Sequence, residues 1–89
     1  MHLNIEHDDM GQKFWTEAEG EECLLAYTMI NDCLNLHFLT APNGQVADEL
    51  CTAAFEHARK NGLKITSSNE YVDEFVRKHP EFRDLLETE

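Results

Sequence analysis

The sequence predicts an α+β fold: a four-stranded antiparallel meander, a fifth strand, one long central helix and a short C-terminal helix. Three observations predict it. Residues 3–40 hold four strand-like segments separated only by tight turns. Residues 46–58 then carry apolar side chains at steps of three and four, the spacing of a helix laid on a sheet. Asn61-Gly62 ends that stretch and is followed at once by the short apolar run Leu63-Lys64-Ile65. Eighty-nine residues allow one domain, spanning 1–89.

Each element can be justified in order. Leu3-Asn4-Ile5-Glu6-His7 alternates apolar and polar, as a half-buried strand does, and Asp8-Asp9-Met10-Gly11 is turn chemistry. Gln12 to Ala18 carries the strand-prone Phe14, Trp15 and Thr16, with the two aromatics expected to serve core and hairpin packing. Glu19-Gly20-Glu21 is a second turn. Glu22 to Ile30 is the longest apolar run. Both of its faces are largely apolar, which predicts a central strand covered on each side. Asn31-Asp32 suits a two-residue hairpin loop. Cys33 to Thr40 alternates, with Leu34, Leu36 and Phe38 expected on one face and Asn35 and His37 on the other. There is no room for a crossover helix before residue 40, so these strands form a meander.

Asn43 or Gly44 is the expected N-cap of the long helix, with Asp48 and Glu49 placed in its first turns. Val46, Leu50, Ala54 and Ala58 form one apolar row, and Ala47, Cys51 and Phe55 the next. His57 lies on the same helix at a partly buried position. Arg59 and Lys60 complement the C-terminal dipole, and Gly62 suits the residue just past the end. Leu63 to Thr66 reads as the fifth strand. Ser67-Ser68-Asn69 can cap a second helix, Glu70 to Lys78, which packs through Tyr71, Val72, Phe75 and Val76. His79 and Pro80 shape its end, and Phe82, Leu85 and Leu86 form a last amphipathic turn.

Charge and cysteine usage narrow the function classes. There are 18 acidic residues against 7 basic ones, a formal net charge of −11. Such a surface repels phosphate backbones, which argues against nucleic acid as a partner, and it draws in cationic ligands such as small amines or basic peptides. No apolar run approaches the roughly 20 residues of a spanning helix, so no membrane partner is expected. The first six residues lack a basic region followed by an apolar one, so the expected location is cytoplasmic. The three cysteines, Cys23, Cys33 and Cys51, form no Cys-x-x-Cys pair and read as small apolar residues. Cys33, His37 and Cys51 match no standard zinc spacing, so no metal site is expected.

Particular residues carry a family resemblance. Ala53 to Ile65 looks like the central helix and following strand of the short, single-domain GNAT acetyltransferase-like proteins. Tyr71-Val72 followed by Arg77-Lys78-His79-Pro80-Glu81-Phe82 resembles that branch's C-terminal signature, an aromatic-valine pair and then Arg-His-Pro-Glu-aromatic. The resemblance implies a compact GNAT-like fold and acetyl transfer from acetyl-CoA to an amine. It also implies that the coenzyme's pyrophosphate meets backbone N–H groups at the start of the central helix, here Asn43, Gly44, Gln45, Val46 and Ala47. The pantetheine arm would lie between the fourth and fifth strands, which splay apart in the family.

The sequence departs from the family pattern at three places. The coenzyme loop, usually Arg-Gly-x-Gly, here reads Pro42-Asn43-Gly44-Gln45-Val46-Ala47, shorter and without its arginine. The family's His-Thr pair late in strand four is replaced by His37-Phe38-Leu39-Thr40. The cysteine often found two residues before the aromatic-valine pair is Asn69, which can hydrogen-bond but cannot act as nucleophile or supply a proton. The candidate catalytic residues are therefore Asn69, Tyr71 as proton donor to a departing thiolate, and His37 as general base. Each also has a purely structural reading: a helix cap, a packed aromatic and a tolerated strand residue. Two functions stay open at this point, a small acetyltransferase with an atypical loop and a catalytically inactive module that serves as a binding or interaction domain.

Overall fold

Antiparallel pairing brings four strands side by side in chain order: β1 (Glu6–Asp8), β2 (Lys13–Ala18), β3 (Glu21–Ile30) and β4 (Cys33–Thr40). The computed structural model describes residues 4–87; Leu3, the expected start of the first strand, lies outside them. The β2–β3 and β3–β4 hairpins turn on Glu19-Gly20 and Asn31-Asp32. All four residues have positive φ, between 49° and 76°, the primed-turn geometry that matches the twist of the flanking strands. A fifth strand, β5 (Lys64–Ser67), adds parallel to β4 and completes the order β1-β2-β3-β4-β5. A parallel neighbour needs a crossover, and α1 (Gly44–Asn61) supplies it.

The caps of α1 follow the sequence closely. Asn43 is the N-cap; its Oδ1 accepts the Val46 N–H at 3.0 Å. Gly62, at φ +69°, ends the helix, and the Leu63 N–H reaches back to the Ala58 carbonyl at 2.8 Å. Of the first turns, where acids are expected, the first holds none and the second holds Asp48 and Glu49. All seven apolar residues of the two expected rows, from Val46 to Ala58, are buried. α2 (Glu70–Lys78) is capped by Asn69, and a 3-10 turn, Pro80–Leu85, follows. Phe55 of α1 packs between Phe75 and Phe82, with ring centroids 5.5 and 5.2 Å away. Arg59 donates to the Glu81 carbonyl at 2.7 Å and to Asp84, pinning the last turn to α1. The chain then bridges alongside Ile65, with the Glu87 N–H donating to the Ile65 carbonyl at 2.8 Å.

All the helical elements share one face of the sheet. Phe14, Cys23, Leu25, Tyr27, Leu34, Leu36 and Ile65 meet α1, α2 and the 3-10 turn in a single apolar core. The expectation that β3 is covered on both faces is therefore wrong. Among the described residues nothing covers its other face, where Leu24 and Ala26 are half-buried and Thr28 is exposed. Its apolar composition gave no sign of which side would be left open.

A bulge in β4 overturns a second expectation. Tyr27 pairs with Leu36 and Ala26 pairs with Phe38, so His37 is an extra residue without a cross-strand partner. One inserted residue inverts the in-out alternation beyond it. Leu39, opposite the buried Leu25, turns toward the core, and Phe38 turns away from it and is 53% exposed. Simple alternation would have placed Phe38 with Leu34 and Leu36.

Candidate functional site

The site arises where β5 leaves β4. Their pairing runs only from Cys33–Lys64 to Leu36–Ser67, and the Ser68 N–H donates to the Leu36 carbonyl at 2.9 Å. Beyond that point the chain bends away. The Ser67 hydroxyl bonds both the N–H and the carbonyl of Asn69, and the Asn69 side chain caps α2 by accepting the N–H groups of Tyr71 and Val72 at 2.8 and 3.3 Å. β4 continues to Thr40 with no strand on that side among the described residues. The gap holds a pocket of about 250 Å³ lined by Leu39, Ala41, Asn43, Gly44, Ala47, Asn69 and Tyr71. A larger concavity of about 640 Å³ runs along α2, but its lining of Glu70, Tyr71, Asp73, Glu74 and Arg77 comes from one helix and is mostly charged. The smaller pocket, built by three elements, is the candidate site.

The start of α1, which Gly44 brings to the pocket wall, has unengaged donors. Within the first turn of α1, the Val46 N–H bonds the Asn43 side chain and the Ala47 N–H bonds the Asn43 carbonyl. Gly44 and Gln45 donate to no acceptor among the described residues. Of the five residues expected at the coenzyme loop, Gly44 and Gln45 within the helix, and Asn43 just before it, have N–H groups without an acceptor among the described residues. The Asn43 side chain is fully engaged, its Oδ1 accepting the Val46 N–H and its Nδ2 donating to Glu19 Oε2 at 2.7 Å. A Cβ on Gly44 would come to 3.5 Å from the Tyr71 hydroxyl and narrow the pocket.

Carboxylates border these donors. Glu19 reaches in from the β2–β3 turn, and Asp48 accepts the Tyr71 hydroxyl at 2.7 Å, with the Gly44 carbonyl 3.2 Å from the same oxygen. No lysine or arginine lines the pocket. Burial, the hydrogen bond to Asp48, and the nearby Asp48 and Cys51 charges together push the Tyr71 phenol far above its usual range. A phenol held so firmly protonated is a poor proton donor, and its visible work is to tie α2 to the start of α1. Cys51, buried behind it, has its thiol pushed up to about 12 by burial and Asp48.

The three catalytic candidates do not converge. Asn69 and Tyr71 line the pocket; His37, exposed on the bulge, does not. Because Asn69 Oδ1 must face the two N–H groups it accepts, its Nδ2 is a donor not used by the cap. The sequence offers Ser67, Ser68 and Asn69 together as caps, and Asn69 is the one that caps α2. Sequence reasoning missed Leu39 and Ala41 as pocket walls, because only the bulge turns Leu39 that way. It also missed Glu19, whose role depends on a turn 24 residues from Asn43. Cys33 pairs with Ile30 at one end of β4 and contacts Thr66, while Cys51 is buried on α1, so the two thiols do not form a common site with His37.

A meander, a crossover helix and a gap between parallel neighbours at its N-terminus define the architecture of GNAT acyltransferases. A family model described as GCN5-related N-acetyl-transferase matches residues 39–85, more than half of the chain, and the chain belongs to that family. Among solved structures, the NMR solution structure of a GCN5-like protein from Staphylococcus aureus is similar over 98% of this chain and 90% of that one, with a TM-score of 0.76 at 23% identity. At that identity the likeness concerns the fold.

Proposed function

We propose that this protein transfers an acetyl group from acetyl-CoA to an amine at the gap between β4 and β5. One observation carries the reading: β5 departs after Leu36 and leaves a pocket lined by Gly44, whose unengaged N–H lies with that of Gln45 at the start of a long helix. Family membership favours this over an inactive module. The residues present fit the coenzyme in part. Gly44 and Gln45 N–H groups suit an anion, and the unpaired edge of β4 offers backbone partners to an amide-bearing arm. Glu19 and Asp48 oppose an anion, which implies weak coenzyme binding.

Acetyl-CoA supplies an acyl group activated as a thioester. Asn69 Nδ2 would donate toward the thioester carbonyl oxygen; as the C–N bond formed the C–S bond would break, and the departing thiolate would take its proton from water or from the attacking amine. None of the pocket-lining side chains accepts a proton at neutral pH, so the amine arrives neutral or loses its proton to water. The rate should then rise with pH as the acceptor deprotonates, without a plateau belonging to the protein.

Titration with acetyl-CoA, followed through backbone amide shifts, tests the reading. Movement of Gly44, Gln45 and Leu39 at submillimolar coenzyme is expected. No movement at these residues with millimolar coenzyme rejects it. Mass spectrometry of a primary amine incubated with acetyl-CoA and protein then separates transfer from binding alone.

A further inference from the structure

We propose that the open face of the sheet is a docking surface for a cationic, amphipathic segment of another protein. This is independent of the coenzyme pocket, which lies on the opposite face with Leu39 and Ala47 in its walls. On the open face, Trp15 stands opposite Leu24 across β2 and β3, and Ala26 stands opposite Phe38 across β3 and β4. The four make one contiguous apolar strip. Phe38 is there only because of the bulge, and it is 53% exposed. Trp15 is half-exposed, and none of the four belongs to the apolar core. An aromatic pair on an uncovered sheet is the kind of exposed apolar surface that marks an interaction site.

Charge selects the occupant. The same face carries Glu6 opposite Trp15, Glu17 opposite Glu22, and Asp8 opposite Lys13. Lys13 is the one cation among these, and it already lies 4.0 Å from Glu22. The apolar strip is thus edged by four carboxylates and one engaged lysine. A second copy of this chain, with its own net charge of −11 and the same acidic rim, would bring like charges together. A segment with lysine or arginine on its margins and apolar side chains along its centre complements both features. The aromatic rings add a cation–π contribution to such a partner.

The test uses three synthetic 18-residue peptides as probes, one alternating lysine with leucine at helical spacing, one with serine in place of each leucine, and one with glutamate in place of each lysine. Trp15 is the only tryptophan in the chain, so its emission reports on this face directly. The Lys/Leu peptide should blue-shift that emission and move amides of Trp15, Leu24, Ala26 and Phe38. The Lys/Ser and Glu/Leu peptides should bind at least tenfold more weakly. Phe38→Ser should lose about tenfold in affinity, and Glu17→Gln/Glu22→Gln, which leaves the apolar strip intact, about threefold to fivefold. Amide shifts confined to α1 or α2 overturn the proposal, as does equal binding of the Lys/Ser peptide. So does sedimentation showing a dimer that Phe38→Ser dissolves.

Discussion

Replacing Asp48 with asparagine should tighten coenzyme binding, and the size of the effect can be worked out from the pocket. Asp48 Oδ1 lies 2.7 Å from the Tyr71 hydroxyl, which lies 3.2 Å from the Gly44 carbonyl, so its charge stands within about 6 Å of the first turn of α1. Two unit charges of like sign at ~6 Å repel by about 0.7 kcal/mol in water and about 3 kcal/mol at an effective dielectric of 20. Asp48 is half-buried, which places the interaction near the lower figure, at about 1 kcal/mol in all, dominated by the nearest phosphate charge. Asparagine keeps an oxygen for the Tyr71 hydroxyl, so the change removes charge without removing the tie between α1 and α2. Calorimetric or amide-shift titration with acetyl-CoA at low salt should show about fivefold tighter binding than the unaltered chain. The advantage should shrink at 0.5 M salt, where screening shortens the reach of the charge. An affinity equal to or weaker than that of the unaltered protein would refute the repulsion argument and place the phosphates elsewhere.

Other outcomes follow from the fold. Burial and the neighbouring His7 and Lys60 lower the His57 pKa, against an opposing pull from Asp9. Because the unfolded chain takes up that proton first, stability at His57 is intact at neutral pH and falls as pH drops from about 6.5 toward the lowered folded value; His57→Gln should flatten the melting temperature across that window. Cys51, with its thiol pushed up to about 12 and its side chain buried, should resist alkylation at pH 8 while the half-exposed Cys33 reacts, as mass spectrometry of iodoacetamide-treated native protein would show. Gly62→Ala should cost about 1 kcal/mol, read as a fall of several degrees in melting temperature, because the position holds φ at +69° and not because of any clash. Asn43→Ala should cost a similar ~1 kcal/mol through the lost cap of α1, by the same assay.

The parts of the fold that local chemistry controls were legible in the sequence. Asn31-Asp32, Asn43, Gly62 and Asn69 each perform a turn or cap that their side chain or backbone freedom favours. The two apolar rows of α1 are buried as their spacing requires. The candidate site was legible at Gly44 and Gln45, since helix starts leave N–H groups over wherever they occur. Two things were not legible. A bulge is one residue of mismatch between two strands, and His37 has no composition that marks it as the odd one. The carboxylate of Glu19 beside the helix start depends on how far the β2–β3 hairpin curls, which no local pattern records.

The unpaired His37 has a genetic consequence. The product of a single extra codon is absorbed as a bulge, and that keeps Leu39 on the pocket side and Phe38 on the opposite surface. These two surfaces depend on one irregularity: a ladder that kept His37 and paired it with Ala26 would exchange their residues at once. Removing His37 would straighten the strand and leave Phe38 opposite Ala26 and Leu39 opposite Leu25, each on its present face. An alignment of relatives is therefore correctly phased through β4 only if it keeps a column for this residue.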